Sequence, residues 1–511
     1  MRHSTLENVG TDGYPKRHRD FLVWLMDRIA ARMVCGYHRV LIALRLTIGV
    51  LPCILKQWAF SARRRCLDAS LALLMGRLGK GWSMRILMLA QFYHPIIGGE
   101  ERYVYDLSHQ LVSRGHDVAV ATLRLPETPA YAIEDGVRVY RIRSTTQSLP
   151  FLYKETARQH LPPVPDPGAM RALKEVVRRE RPAIVHAHNW IVHSYVPLSG
   201  KSGARLVLSL HDYGLVCAKK TLLYHGAPCS GPAYWKCLAC AREQYGWAKG
   251  AVTVTGVRTR RRAVHAAVDL FLPVSNAVAS GCGLVQAKAP FRVIPNFVPD
   301  DLVGSQTSQQ SRDTATPETD PHLALLPQEP YILFVGDQTY QKGVPILLEA
   351  YSRLKNAPPL VLIGRQFEEV SYKRSPGVMQ LGLWPHDAVI EAWRRSMLGV
   401  LASVSDEPFG IAIIEAMAAG KPVVASRAGG MADIVLHERT GLLVKPNDAE
   451  DLARALQRLI SDPELRAGMG QEASRRAEIY KVSNVVPHIE QAYQDALDGA
   501  IAGSSGDHPM L

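Results

Sequence analysis

Cysteine is scarce, with eight residues in a chain of 511. A disulfide-stapled secreted fold needs a denser set. The chain also does not open with a charged n-region, an apolar core and a small-residue cleavage site, so a cytoplasmic location without disulfides is expected. Long apolar runs are lacking too. The most apolar stretch of the N-terminal region, Val40 to Leu55, falls short of the roughly 20 residues that span a bilayer, and Arg45 and Pro52 interrupt it. The body of the chain lacks a basic excess as well. Of the formal net charge of +13, residues 1–83 hold 14 Lys/Arg against 5 Asp/Glu, a balance of +9, which leaves +4 for the other 428 residues. Nucleic-acid binding calls for that excess on the folded body, interleaved with stacking aromatics, so no nucleic-acid partner is expected.

What is present is apolar material, 47% of the chain, enough for two sizeable α/β cores and an extension. Residues 1–83 mix Phe21, Leu22, Trp24, Leu25, Val40, Leu41 and Ile42 with arginines at irregular helical spacing. Two readings fit this basic extension. It forms amphipathic helices that dock on an anionic membrane surface, or Met84, directly before the first clean strand, is the true start. From Met84 on, short apolar runs bounded by turn residues alternate with helical segments, the pattern of a parallel sheet with crossover helices.

Strands are expected at Arg85–Ala90, Val118–Thr122, Ala183–Ala187, Arg205–Leu210 and Leu270–Val274, with a helix from Glu101 to Arg114 ended by Gly115. Between 303 and 322, Gly, Ser, Gln, Thr and Pro displace the apolar pattern. After this break come strands at Tyr331–Val335, Leu360–Ile363, Val378–Leu381, Gly399–Ala402 and Val423–Ser426, then helices at Ala449–Ile460 and Pro463–Tyr480. The implied domains are an extension (1–83), a Rossmann-like acceptor-side domain (84–300), a linker (301–328), a Rossmann-like donor domain (329–482) and a C-terminal helix and tail (483–511). Two such sheets in series place a ligand cleft at the carboxyl ends of their strands.

Glu407-Pro408-Phe409-Gly410 follows one of these strands and opens an apolar helix, Ile411–Ala419. Free backbone amides at such a helix start bind phosphate. Glu415 lies little more than a turn further on, placed to accept from vicinal hydroxyls such as those of a ribose, and Glu407 would sit nearer a sugar. Taken alone, the spacing also fits a helix with an ordinary solvent-exposed glutamate. A second run, Gly336-Asp337-Gln338-Thr339-Tyr340-Gln341-Lys342-Gly343, follows the first strand of the same domain and brings Lys342 to the same cleft, where it can neutralise a diphosphate leaving group.

Together these motifs resemble glycosyltransferase family 4, retaining enzymes of the two-domain GT-B fold, over about Arg85 to Tyr480. Further matches are His94-Pro95-Ile96-Ile97-Gly98-Gly99-Glu100-Glu101, Arg114-Gly115-His116-Asp117-Val118, His211-Asp212, Gly429-Gly430 and Gly441-Leu442-Leu443-Val444. The resemblance implies that Gly98 and Gly99 let the backbone approach the donor, and that Lys342 binds its diphosphate. It places Glu407 near the donor sugar, Glu415 on the ribose and His211 beside the reacting centre, with the amides of Phe409, Gly410 and Ile411 as a phosphate cradle. Base recognition would use backbone near Leu381-Gly382-Leu383. One departure stands out: where the family usually carries an arginine, this chain has Asp337. Either that side chain points away or another cation compensates, and an impaired binding or scaffold protein that keeps the fold is the alternative. The Asp-x-Asp metal motif of the other main glycosyltransferase architecture is not found at a strand end, so metal-independent transfer is expected, with no cofactor for catalysis. The donor would be a UDP- or GDP-sugar. The acceptor would be a glycan or lipid-linked sugar of the cell envelope or exopolysaccharide, reached from the inner face of the membrane.

Two constellations stand apart. His186 and His188 share a strand face and with His211 could imitate the His-x-His metal site of a hydrolase, or be satisfied core histidines. Cys217, Cys229, Cys237 and Cys240 include a Cys-x2-Cys pair with zinc-knuckle spacing, which fits a structural zinc or four reduced thiols. A zinc there would order an acceptor-side loop carrying Tyr224, Tyr234 and Trp235, aromatics suited to sugar stacking.

Overall fold

The structure is a computed structural model that describes residues 83–96, 98–148, 159–303, 320–367 and 376–500. The basic extension and most of the linker lie outside these residues. Among the described residues no helix is long and apolar enough to cross a membrane.

The first domain alternates strand and helix: β1 (Arg85–Leu89), α1 (Gly99–Ser113), β2 (Asp117–Leu123), β3 (Tyr131–Glu134), β4 (Val137–Ile142), α2 (Pro167–Glu180), β5 (Ile184–His188), α3 (Val192–Ser202) and β6 (Arg205–Leu210). A small hairpin, β7 (Leu223–Tyr224) and β8 (Ala227–Pro228), precedes α4 (Tyr234–Ala267), which is kinked at Gly246, and then β9 (Leu270–Pro273) and α5 (Asn276–Gly281). The strands run in the order β3-β4-β2-β1-β5-β6-β9, parallel throughout except where β3 pairs antiparallel with β4. That hairpin is an addition to the expected set. Asp135 and Gly136 both take positive φ, +46° and +86°, in a two-residue turn matched to the twist of the flanking strands.

The second domain contains β10 (Ile332–Val335), α6 (Val344–Tyr351), β11 (Leu360–Ile363), β12 (Val378–Gln380), α7 (His386–Arg395), β13 (Leu398–Leu401), α8 (Ile411–Ala418), β14 (Val423–Ser426), α9 (Met431–Ile434) and β15 (Gly441–Val444). Its six strands are all parallel, in the order β12-β11-β10-β13-β14-β15. Three helices close the chain: α10 (Ala449–Ser461), α11 (Pro463–Ala477) and α12 (Val482–Asp498). Asp448 and Asp462 cap the first two, each carboxylate accepting from an otherwise orphaned amide, Asp451 N and Leu465 N, both at 2.9 Å. Two doubly wound parallel sheets facing one another make this a GT-B architecture.

The expected strands fall within a residue or two of the observed ones, because runs such as Arg-Ile-Leu-Met-Leu are buried on both faces and read as continuous apolar stretches. The expected α1 begins two residues late, since the helix starts at Gly99, inside the glycine pair. α12 packs on the first domain: Val485, Ile489, Ala492 and Tyr493 share a buried cluster with Ile86, Met88, Leu107 and Val207. Its Glu490 receives Arg114 at 2.8 Å and His116 at 2.9 Å, and, although burial pushes its carboxyl up, these contacts hold it down to about 2. Another buried cluster runs from Leu208 and Tyr213 of the first domain to Phe409 and Ile413 of the second, so the domains share apolar packing beside the cleft.

Candidate active site

Glycine geometry puts Lys342 where it is. Gly343 takes φ +70°, and a Cβ there would lie 1.8 Å from the carbonyl oxygen of Ala402, so only a residue without a side chain lets this loop lie against the end of β13. Lys342 therefore rises beside the segment that carries Glu407, and its Nζ lies 2.7 Å from both carboxylate oxygens. Ser403 Oγ donates to the same carboxylate at 3.2 Å. The Glu407 backbone is fixed from the other side. Gly430 N donates to Glu407 O at 2.7 Å, and a Cβ on Gly429 would lie 2.2 Å from that oxygen. The pair Gly429-Gly430 thus exists to let two loops touch through their backbones.

The start of α8 is left open. Gly410 is its N-cap at φ +103°, with no side chain accepting from the first amides. Phe409 is buried and meets the Tyr480 ring edge-on at 6.0 Å. From the first domain, the α1 start approaches this helix: its N-cap Gly98 also has no side-chain cap, and a Cβ on Gly99 would come within 3.6 Å of Ile411 Cδ1. Two helix starts, each with unsatisfied amides and partial positive charge, therefore converge on one cleft. The domains are tied just beside it. Ser275 Oγ donates to Pro408 O at 2.6 Å, and Asp433 Oδ2 accepts from Asn276 N at 3.1 Å.

Glu415 is buried in α8 and shares a 2.8 Å hydrogen bond with His386 Nε2 at the start of α7. His211 follows β6, and its Nε2 lies 2.9 Å from His188 Nδ1 under the edge of the Tyr103 ring. Burial draws His211 down to about 4, with Asp212 opposing and Lys220 reinforcing, so the imidazole is neutral at physiological pH.

His186 is spent in the core, with Nδ1 on Tyr493 Oη at 2.7 Å and Nε2 on Ser209 Oγ at 2.8 Å. With both ring nitrogens engaged, it cannot serve as the second histidine of a hydrolase metal site. Among the described residues no group of three His, Cys, Asp or Glu side chains is placed to hold a metal ion. The four cysteines are free thiols, with Cys229 Sγ donating to Gly231 O and Cys240 Sγ to Leu223 O. Burial raises the Cys237 thiol, and Cys217 and Cys229 add to the effect.

Comparison with known proteins decides the family. Residues 316–476 match the family model for glycosyl transferases group 1, and residues 97–302 match that for glycosyltransferase family 4. The chain belongs to the family 4-like glycosyltransferases. A glycosyltransferase of Methanocaldococcus jannaschii is 25% identical over 81% of this chain and 99% of its own length, and a Mycobacterium tuberculosis glycogen synthase is 26% identical over 77% and 90%. Among solved structures, sucrose-phosphate synthase from Thermosynechococcus elongatus superposes with a TM-score of 0.62 at 22% identity, covering 81% of this chain and 99% of that one. Anabaena HepE in complex with UDP-glucose gives 0.56 at 20% identity, over 81% and 100%. These likenesses support the GT-B fold.

In this glycosyltransferase Lys342, Glu407, Phe409, Gly410, Ile411 and Glu415 come together at the carboxyl ends of β10 and β13, and the Gly98-Gly99 helix start meets them from the first domain, while His211 stands at the end of β6 against His188 and Tyr103. Sequence reasoning missed His386 and Glu100. Only its place at a helix start after Pro385 marked His386. Glu100 stood in the quoted glycine motif without a role; Asn189 Nδ2 donates to its carboxyl, and burial, against the pull of Lys220, pushes it up to about 8. A cavity of about 580 Å³ lined by Tyr331, Arg395, Lys421 and Arg466 lies at the opposite ends of these strands, away from the cleft.

Proposed function

We propose that this glycosyltransferase moves a sugar from a nucleoside-diphosphate donor to a glycan or lipid-linked acceptor, with retention at the anomeric carbon and without a catalytic metal. The observation that carries the reading is the meeting of Lys342 and Glu407. Drawn from motifs 65 residues apart, they contact at 2.7 Å beside the uncapped start of α8. In the reading, the α8 amides and Lys342 receive the diphosphate and stabilise it as it leaves. Glu415, steadied by His386, accepts from the ribose hydroxyls. Glu407 and the neutral His211 face the donor sugar, and a donor phosphate oxygen takes the proton of the acceptor hydroxyl as it attacks from the leaving-group side.

A UDP- or GDP-sugar donor fits this reading, and HepE, which shares the fold, binds UDP-glucose. Envelope or exopolysaccharide synthesis at the inner face of the membrane is the proposed setting. A structural zinc on Cys217, Cys229, Cys237 and Cys240 would need a closer arrangement than these thiols have here, and one zinc per purified chain by elemental analysis is its test.

A catalytically impaired binding protein would be favoured by an unneutralised acid at Asp337. Arg365 Nε lies 3.8 Å from that carboxylate, so the acid faces a cation at more than hydrogen-bond length. The deciding experiment screens UDP-, GDP- and ADP-sugars by thermal shift, since a ligand bound only by the folded state raises its stability. Transfer is then assayed with the stabilising donor, with Glu407→Ala as the comparison. Donor binding with no transfer above that of Glu407→Ala would establish the impaired-protein reading instead.

A further inference from the structure

Asp337 leaves an electrostatic question at the cleft. The diphosphate of a donor carries two or more negative charges, and the position from which the family usually offers an arginine offers a carboxylate. We propose that Arg365, from the neighbouring strand end, supplies the second cation for the donor diphosphate, and that Asp337 is the positioning residue that steadies it. This deepens the donor-site reading above and rests on it.

The backbone first fixes where Arg365 stands. β10 and β11 are adjacent and parallel, and the loops leaving their carboxyl ends are locked together. Gly336 N donates to Ile363 O at 2.9 Å, and Gln338 N donates to Arg365 O at 2.8 Å. Gly364 takes φ +145°, and a Cβ there would lie 1.9 Å from Gly336 O, so the loops touch backbone to backbone. Gln338, fully buried, adds a bond from Nε2 to Gly364 O at 3.2 Å. Arg365 is thereby held on the same rim from which the Lys342 loop departs, in the row of strand ends where open parallel sheets bind ligands.

The side chain is then an under-used cation of that rim. Lys342 grips Glu407 with both contacts at 2.7 Å, whereas Arg365 meets Asp337 only at 3.8 Å, beyond hydrogen-bond length. Its Nε is buried without an acceptor, while the side chain as a whole stays 39% exposed. The Phe367 ring, 5.5 Å from Cζ, braces it. A guanidinium offers five donors in a planar fork whose spacing matches two phosphate oxygens. An Arg fork on an anchored backbone, with an unsatisfied buried N–H and a carboxylate close enough to orient it but too far to occupy it, is suited to a phosphate ligand.

Charge balance gives the same answer. Lys342, Glu407, Asp337 and Arg365 sum to zero, so these four groups hold no net excess with which to attract a diphosphate. A donor is received by exchange: phosphate oxygens replace Glu407 at Lys342 and fill the Arg365 fork. Asp337→Arg, which would restore the usual family residue, instead sets two guanidinium groups side by side and deprives Arg365 of its anchor.

The test uses the full chain and calorimetric titration with UDP, GDP and ADP, each beside its monophosphate, and follows whichever base binds. Arg365→Gln is expected to weaken the diphosphate at least tenfold and the monophosphate less than threefold, with Arg365→Lys recovering part of the loss. Asp337→Asn is expected to weaken diphosphate binding several-fold and raise the donor KM more than it lowers kcat. Asp337→Arg is expected to weaken binding as well. Unchanged thermal midpoints confirm that the variants fold. Diphosphate affinity within twofold of the parent in Arg365→Gln, alongside a tenfold loss in Lys342→Met, overturns the role of Arg365 and leaves the donor site standing. Tighter binding by Asp337→Arg overturns it as well. No binding of any nucleoside diphosphate by the parent removes the donor-site reading itself.

Discussion

Lowering the pH from 7.5 to 5.5 should cost the folded protein stability, and Glu100 should hide much of that cost. His186 and His193 are held down to about 3 and His211 to about 4, in each case mainly by burial, against an ordinary value of 6.5. A folded-state value below the unfolded one means that the unfolded chain takes up protons first. The contribution is therefore complete above pH 6.5 and is lost as the pH falls through the window toward the folded values. Between 7.5 and 5.5 each of the three loses about 1.3 kcal/mol, about 4 kcal/mol together. His188, lowered by burial and by His186 and His211, adds in the same direction.

Glu100 has the opposite sign. Burial pushes it from an ordinary 4.5 to about 8, so the folded protein takes up its proton well before the unfolded chain does. Acidification over the same window then returns about 2.5 kcal/mol. The parent should lose about 1 to 2 kcal/mol plus the share of His188, whereas Glu100→Gln, which cannot titrate there, should lose about 4 kcal/mol or more. Urea unfolding at several pH values measures both slopes. Equal slopes for parent and variant would refute the reasoning, as would a flat slope in the variant.

Two further substitutions probe the frame of the site. Gly343→Ala must move the loop away from Ala402 O, so a loss of about 2 kcal/mol is expected, together with weaker nucleoside-diphosphate binding because Lys342 moves with it. Calorimetry on a variant that is destabilised yet binds normally would show that the loop does not place Lys342. Ser275→Ala removes both the cap on Val278 N, 3.1 Å, and the cross-domain bond to Pro408 O, 2.6 Å. A cost of about 1 to 2 kcal/mol is expected, and an unchanged thermal midpoint would show that the contact between the domains carries no energy.

The donor-side residues were legible in the sequence because each is bound to local backbone geometry. Gly343 and Gly410 sit at positive φ where a loop meets a strand or opens a helix, and such positions leave residue-type signals within a few neighbours of the chemistry they place. The hairpin β3–β4 carried such a signal too, in Glu134-Asp135-Gly136. It went unread because a strictly parallel pattern has no place for an antiparallel edge strand.

What the sequence could not show is which distant side chains close each arrangement. His386 reaches Glu415 across 29 positions, and Tyr493 reaches His186 across 307. Their encounter depends on α7 lying beside α8 and on α12 returning to the first sheet, neither of which a periodicity encodes. Asp337 shows the consequence most directly. Read alone, it is a repulsive charge at a phosphate site and an argument against turnover. Beside Arg365, a residue no motif singled out, the same carboxylate becomes half of a charge pair set at the ends of two adjacent strands. The sign of a local electrostatic argument is thus decided by the strand order β11-β10-β13, which sets Arg365 on one side of the Gly336–Gly343 loop and Glu407 on the other.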